Sequence, residues 1–155
     1  MKCVSIVYIL LFRSLGMDRQ RLSRTLIKHE ALRLEPYRCS AGKLTIGVGH
    51  NLDDNGISGA IALALLKEDI QNSEEQLRRF FFFELLSDVR QEVLLNLHFN
   101  IGHSAFKRFK KMILNLGRGD FEKAADEMMD SRWYHQVGKR AVYLVSAMRN
   151  NKFEE

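Results

Sequence analysis

The chain has 155 residues with 24 lysines and arginines against 19 acidic residues, so its formal net charge is +5 and its length suits one domain with a single core. A hydrophobic share of 46% with 28% charged residues excludes a disordered or fibrous chain, and two cysteines cannot build a disulfide framework or a four-ligand zinc site. The positive charge favours an anionic partner, such as nucleic acid, a membrane surface or an acidic cell-envelope polymer.

The N-terminal stretch differs from the rest of the chain. A lysine precedes an apolar run over 3–12, and a small-any-small pattern follows it, so residues 1–16 have the outline of a short secretory signal. Alternatively, the natural start is Met17, because Asp18 directly after it is a good helix cap. Ten apolar residues are too few to cross a hydrocarbon core of about 30 Å, so no permanent transmembrane anchor is expected.

A short helix and a small sheet are predicted next. Asp18 can begin a helix that runs to about Ala31 and places Glu30 at its C-terminal end. The period then changes, and a Ser-Ala-Gly turn within 37–50, between segments rich in Tyr, Leu, Thr, Ile and Val, predicts a hairpin. We expect an antiparallel sheet over about 35–58, in which two consecutive aspartates, Asp53 and Asp54, form turns.

The remainder of the chain is predicted to be helical almost throughout. One helix begins at Ser58, and the four phenylalanines at 80–83 pack a helix junction, although four consecutive aromatics cannot all face inward. Further helices are predicted over about 88–101, 105–116, 119–130 and 138–150. The predicted fold class is therefore α+β and mostly helical, with a cleft where the sheet meets the bundle.

Three side chains near the hairpin are candidates for chemistry. Glu30 closes a helix whose inward residues are apolar, and a desolvated carboxyl group is suited to donate a proton. A glutamate at a helix end is usually only solvated, so this feature alone is weak. Strand pairing can bring Cys39, at the start of the hairpin, and Thr45, on the returning strand, to one rim facing that helix end.

These three residues follow a recognisable pattern. Eight residues separate Glu30 from Cys39, five separate Cys39 from Thr45, and Thr45 opens a T-I-G-V-G-H strand. This arrangement closely resembles the catalytic segment of the phage-type lysozymes, or endolysins, of glycoside hydrolase family twenty-four. Two later segments resemble the same family, so the likeness extends from about residue 18 to residue 150: F-N-I-G at 99–102, and S-R-W-Y-H-Q at 131–136 with R-A at 140–141.

The resemblance implies a lysozyme-like fold and cleavage of the β-1,4 bond between N-acetylmuramic acid and N-acetylglucosamine in peptidoglycan. Glu30 would be the general acid that protonates the leaving oxygen, and Thr45 would position the attacking water. Arg140 would hold the orientation of Glu30, and His50 would have a structural role. The opposite wall of the cleft would be lined by Asn96, Phe99 and Asn100.

Cys39 stands where the family has aspartate or cysteine, and its role is open. The usual glycosidase scheme uses two carboxylates, whereas an unperturbed thiol has a pKa of about 8.5 and is mostly protonated near pH 7. Cys39 could be a nucleophile with a lowered pKa, could orient water, or could be a small buried thiol with no chemical role.

Three functions follow from these observations. The first is a monomeric muramidase of phage or prophage origin, without cofactor or metal ion. The second is a catalytically weak or inactive lysozyme-like protein that binds peptidoglycan. The third, a nucleic-acid-binding domain, is motivated by charge alone, and we expect no nucleic acid partner because no basic stripe with exposed aromatics is present.

The expected organisation is an N-terminal extension, 1–16, and one catalytic domain, 17–155. That domain would have a sheet lobe over about 32–58 and a helical lobe over about 59–150. The resemblance implies an enzyme made in the host cytoplasm that acts on the cell wall in the periplasm, without stable membrane insertion. It would cross the membrane with the help of a holin, or by export if the extension is a signal.

Overall fold

The computed structural model describes residues 17–154, which fall into two units with their boundary between Ser58 and Gly59. The first unit contains one long helix and a three-stranded sheet, and the second is helical, which confirms the α+β, mostly helical class. The predicted secretory signal lies outside the described residues. Within 17–154, no helix has the length and apolar character needed to cross a membrane.

The first unit begins with helix α1, Arg19–Glu30. The predicted cap is confirmed, because the Asp18 carboxylate accepts a hydrogen bond of 2.9 Å from the backbone N–H of Arg21. The helix ends at Ala31, whose φ of 61° breaks the helical path. Glu30 is therefore the last residue of α1, as predicted.

The sheet has three antiparallel strands in the order of the chain: β1 Arg33–Arg38, β2 Leu44–Gly47 and β3 His50–Asn51. The predicted hairpin is confirmed, with Thr45 opposite Tyr37. The register shifts between Arg33 and Tyr37, and this interval contains Pro36, which has no N–H to donate to a ladder.

Asp53 and Asp54 belong to a one-turn helix, α2 Leu52–Asn55, that holds the hairpin in shape. The Asp53 carboxylate accepts a hydrogen bond of 2.8 Å from the backbone N–H of Leu44, at the start of β2. The Asp54 carboxylate lies 2.8 Å from the ammonium group of Lys43. These aspartates therefore shape the loop, as predicted, and also fix one end of the central strand.

The second unit consists of helices of unequal length joined by tight turns. Their bounds are α3 Gly59–Leu77, a 3-10 turn Phe83–Leu85, α4 Asp88–Ile101, α5 His103–Phe106, α6 Lys110–Gly117, α7 Phe121–Met129, α8 Arg132–Val137 and α9 Lys139–Asn150. The helix predicted over 88–101 is confirmed at both ends, because Ser87 caps it and Gly102 ends it with a φ of 75°.

One sequence expectation for this unit is wrong, and one short helix was not predicted separately. The helix predicted over 105–116 is interrupted after Phe106, whose ring is fully buried, and tight turn bonds over 105–110 replace the helical ladder. The sequence pattern does not predict α8 as a separate helix. Local signals for it are present, because the Ser131 hydroxyl accepts a hydrogen bond from the backbone N–H of Tyr134 and Gly138 follows the end of the helix. Tertiary packing determined the first case, and the second helix is too short for a periodic signal.

The hydrophobic core of the second unit is formed by side chains from α3 to α9 and from the segment before α4. Fully buried members include Leu97, Phe106, Met128 and Met148. The run at 80–83 is divided as expected, because Phe83 is 1% exposed in the core whereas Phe81 is 75% exposed. The ring of Phe81 rests instead against Gly117, where an added Cβ would lie 3.0 Å from it.

The two phenylalanines provide a matched test of this core. We expect Phe83→Ala to lower the free energy of unfolding by about 3–5 kcal/mol, because it removes a buried ring and leaves a cavity. We expect Phe81→Ala to cost less than about 1 kcal/mol, because most of that ring is in water. Urea denaturation followed by circular dichroism measures both. Equal losses for the two variants would contradict the described burial.

Candidate active site

Cys39 lies in the turn that joins β1 to β2. The backbone N–H of Gly42 donates to the carbonyl of Cys39 at 2.8 Å, and the N–H of Cys39 donates to the carbonyl of Lys43 at 3.0 Å. Gly42 has a φ of 78°, a conformation that favours glycine. The turn therefore fixes the thiol, which is half-buried and is a free cysteine.

The surroundings of Cys39 stabilise its thiolate. Hydrogen bonds from the backbone N–H groups of Ala41 and then Lys43 are the main causes that lower the pKa of the Cys39 thiol, and the Thr45 hydroxyl adds a smaller contribution. The geometry thus favours a more ionised thiol than an ordinary cysteine has at the same pH.

Thr45 is the one candidate residue of the first unit that is almost fully buried, at 3% exposed. Its position on the central strand places its hydroxyl within hydrogen-bonding reach of the Cys39 thiol and 3.0 Å from the carbonyl of Lys43. The structure therefore brings Cys39 and Thr45 together, at the rim where strand pairing predicted them.

Glu30 and His50 are both exposed in this unit. No residue of α1 is buried within the first unit, and the desolvation of Glu30 stays a prediction. The Nε2 atom of His50 lies 2.6 Å from the carbonyl oxygen of Gly56. The imidazole therefore connects β3 to the residue that follows the end of α2. His50 thus makes a structural contact within the first unit.

Residues of the second unit gather at a cavity of about 340 Å³. Asn96, Phe99 and Arg140 all line it. The Arg140 guanidinium donates through Nε to Asn96 Oδ1 at 2.8 Å, which fixes its direction across the 44 residues that separate them in sequence. Glu92, whose carboxylate lies on the wall of the same cavity, was not identified from the sequence. Glu92 precedes Asn96 by four residues, which is one helical turn, and this spacing could have indicated that the two share a helix face.

Asn100 does not line this cavity. Its Oδ1 accepts a hydrogen bond of 2.8 Å from the indole N–H of Trp133, which is 6% exposed and belongs to the core. This bond joins the end of α4 to α8 and identifies the oxygen of the amide, so its NH₂ group is turned away from the indole.

Comparison with known proteins decides the family. The family model described as "Phage lysozyme" matches residues 27–152, a range that contains Glu30, Cys39, Thr45 and Arg140. The chain belongs to the phage lysozyme family. The resemblance read from the sequence is thereby confirmed, and with it the lysozyme-like fold and the assignment of this phage lysozyme as a hydrolase.

Several endolysins are similar to this phage lysozyme. It is 34% identical over 117 residues to the "Endolysin" of Acyrthosiphon pisum secondary endosymbiont phage 1, covering 73% of this chain and 78% of the relative. It is 32% identical over 110 residues to the "Endolysin" of Salmonella phage P22, covering 66% and 74% respectively. It is 29% identical over 128 residues to the "SAR-endolysin" of Escherichia phage Mu, covering 81% and 72%.

The lowered pKa of the Cys39 thiol gives a direct test. In a Cys3→Ser background, where Cys39 is the sole cysteine, we expect the rate of alkylation by iodoacetamide to reach half its maximum below the ordinary thiol value of about pH 8.5. Thr45→Val should raise this midpoint only part of the way, because the N–H groups of Ala41 and Lys43 remain. A midpoint at or above about 8.5 for the Cys3→Ser chain would contradict the assigned environment.

Proposed function

We propose that this phage lysozyme hydrolyses the β-1,4 bond between N-acetylmuramic acid and N-acetylglucosamine in bacterial peptidoglycan. Membership of the phage lysozyme family and similarity to endolysins support lysis of the cell wall in general. We assign Glu30 as the general acid, and Cys39 and Thr45 as the residues that activate or position the attacking water.

One observation carries this proposal: the Thr45 hydroxyl adjoins a thiol whose pKa is lowered by the turn around it. A hydroxyl has a single proton and two lone pairs. While Cys39 is a thiol, its S–H can donate to Thr45 Oγ1, which donates in turn to the carbonyl of Lys43. When Cys39 is a thiolate, the hydroxyl can rotate and donate to sulfur. The pair can thus accept a proton from a water molecule or orient it.

Hydrolysis then needs one proton donor and one attacking oxygen. Water forms the new bond to the anomeric carbon as the glycosidic bond breaks, and the leaving oxygen takes a proton from the Glu30 carboxyl group. The proton released by the water passes to the Cys39–Thr45 pair or to solvent. Glu30 is the last residue of α1, and β1 begins three residues later at Arg33.

Residues of the second unit are assigned to substrate support. Phe99 is 44% exposed on the wall of its cavity, so its ring is accessible to the apolar face of a sugar. Asn96 fixes the Arg140 guanidinium at the same cavity. Asn100, oriented by Trp133, presents its NH₂ donors to an acceptor such as an acetamido carbonyl. His50 supports the loop after the sheet.

We further propose that the enzyme acts as a monomer in the periplasm after synthesis in the host cytoplasm. Residues 17–155 would act as one catalytic domain, with 32–58 and 59–150 as its sheet and helical lobes. Its net charge of +5 supports attraction to an envelope rich in carboxylates and phosphates. A holin, or export directed by residues 1–16, would give it access to the wall.

Substitutions at Glu30 and Cys39, the two ionisable residues assigned to catalysis, test the proposal. Glu30→Gln should lower the rate at which a peptidoglycan suspension clears by roughly 10²–10⁴-fold, because the amide cannot donate the proton. Cys39→Asp should retain much of the rate, because it keeps an ionisable group in the turn. Cys39→Ser should lose about tenfold or more, because a serine hydroxyl stays protonated near pH 7.

Glu35→Gln is the matched control, since Glu35 is an exposed glutamate of β1 with no assigned role. Its clearing rate should equal that of the wild type, and circular dichroism should show that every variant folds. A wild-type rate for Glu30→Gln would refute the general acid. If the wild-type chain bound peptidoglycan without clearing it, the protein would be the lysozyme-like binding protein instead.

The proposed chemistry uses no metal ion. Within the described chain, no group of three or more His, Cys, Asp or Glu side chains is arranged to hold one. We therefore expect the clearing rate to be unchanged after dialysis against a chelator. Loss of activity that returns on adding a divalent cation would contradict the assigned roles of Glu30, Cys39 and Thr45.

A further inference from the structure

Three large apolar side chains of the second unit are exposed and have no role in the proposed hydrolysis. They are Phe81, Leu85 and Leu114, which are 75%, 80% and 52% exposed. We call these three residues the Phe81 patch. Isolated apolar residues are common on protein surfaces, so the patch is informative only if its members lie together and have suitable neighbours.

Packing holds the members of the patch together on the surface. The Phe81 ring lies against Gly117, the last residue of α6, where an added Cβ would be 3.0 Å from it. Leu114 precedes Gly117 by three residues, so the two positions are neighbours on the surface of α6. Leu85 follows Phe81 by four residues on the solvent side of the same segment, because Phe83 between them is buried. The folded core therefore presents all three side chains to solvent.

The two segments that carry the patch are strongly basic. Residues 78–88 and 107–118 contain seven lysines and arginines against two acidic residues, Glu84 and Asp88. All seven basic residues are exposed. The excess of positive charge in these segments is as large as the net charge of the whole chain, +5, so the charge is concentrated here. Five of the seven form no ion pair within 17–154: Arg79, Lys107, Arg108, Lys110 and Arg118.

Helix α6 places two of these cations beside the patch. Lys110 lies four residues before Leu114, and Arg118 lies four residues after it with a helical backbone conformation. Side chains at this spacing share one face of a helix. A third cation, Arg79, precedes Phe81 by two residues. Apolar side chains bordered by lysines and arginines are typical of surfaces that attach to the headgroup region of anionic membranes.

We propose that the Phe81 patch docks this phage lysozyme on the surface of a bilayer that contains anionic phospholipid. The three apolar side chains enter the boundary between headgroups and acyl chains, and the neighbouring cations contact the lipid phosphates. Each lysine or arginine near such a surface raises the affinity by about fivefold, and burial of the apolar side chains adds to this. The attachment is peripheral, since only side chains enter the bilayer.

The composition of the patch favours a bilayer over two other occupants. Bases of a nucleic acid stack on aromatic rings, whereas the patch has one ring and two aliphatic side chains, which match acyl chains. A second copy of this chain is disfavoured by charge, because two patches in contact would bring their unpaired cations together.

The test places a fluorophore within the patch of the full chain. Leu85→Cys, in a Cys3→Ser/Cys39→Ser background, is labelled with nitrobenzoxadiazole, whose emission brightens and shifts to shorter wavelength when it leaves water. Vesicles of phosphatidylcholine and phosphatidylglycerol at about 2:1 should cause this change, and vesicles of phosphatidylcholine alone should not. NaCl at about 1 M, where the Debye length is about 3 Å, should reverse it. Because the label reports its own position, attachment through the apolar run over 3–12 is not mistaken for docking.

The same label at Val142→Cys is the matched control, because Val142 is 54% exposed on α9, which packs against α4 and α7. It should not respond to vesicles. In the chain labelled at position 85, Phe81→Asp should raise the lipid concentration that gives half the response by at least about tenfold, and Val142→Asp by less than about threefold. Lys110→Glu with Arg118→Glu should weaken the response as Phe81→Asp does, without changing an apolar side chain. Circular dichroism checks that each variant folds.

No response at position 85, an equal response at position 142, or an equal response on phosphatidylcholine alone would overturn the proposed docking. A blue shift without vesicles that grows with protein concentration would identify self-association instead. Retention on single-stranded DNA without a response to vesicles would identify a nucleic acid partner. Either of these results would also overturn the proposal, and none of them bears on the clearing of peptidoglycan.

Discussion

The hydrogen-bonded turn between β1 and β2 is the constraint on which the candidate active site depends. It closes through the bonds of Cys39 with Gly42 and Lys43, and it directs the N–H groups of Ala41 and Lys43 at the thiol. The same turn sets the register that places Thr45 beside Cys39. A residue type that is usually a weak acid thereby becomes easier to ionise.

The second unit supports its residues in a different way. Long-range side-chain bonds, rather than one local turn, fix the groups on α4: Asn96 binds Arg140 of α9, and Asn100 accepts from Trp133 of α8. Both pairs begin from one helix whose other face supplies Leu97 to the core. The burial of that face therefore stabilises the positions of both polar side chains.

Local chemistry made much of the fold predictable from the sequence. The cap at Asp18, the turn before Gly42 and the helix that ends at Gly102 depend on neighbouring residues, and each was confirmed. The break after Phe106 could not be predicted, because burial of that ring in the core overrides a helical pattern. The pairing of Cys39 with Thr45 followed from strand geometry. The bond between Arg140 and Asn96 could not be predicted from local geometry, because the two residues are 44 residues apart in the sequence.

In the proposed reaction, a water molecule is added across the glycosidic bond between two neighbouring sugars of the glycan strand. Mass analysis of the products from purified peptidoglycan tests it most directly. Hydrolysis predicts fragments that end in a reducing N-acetylmuramic acid and that are absent when Glu30 is replaced by glutamine. Fragments that end in an anhydro sugar, one water lighter, would contradict hydrolysis and identify the protein as a lytic transglycosylase.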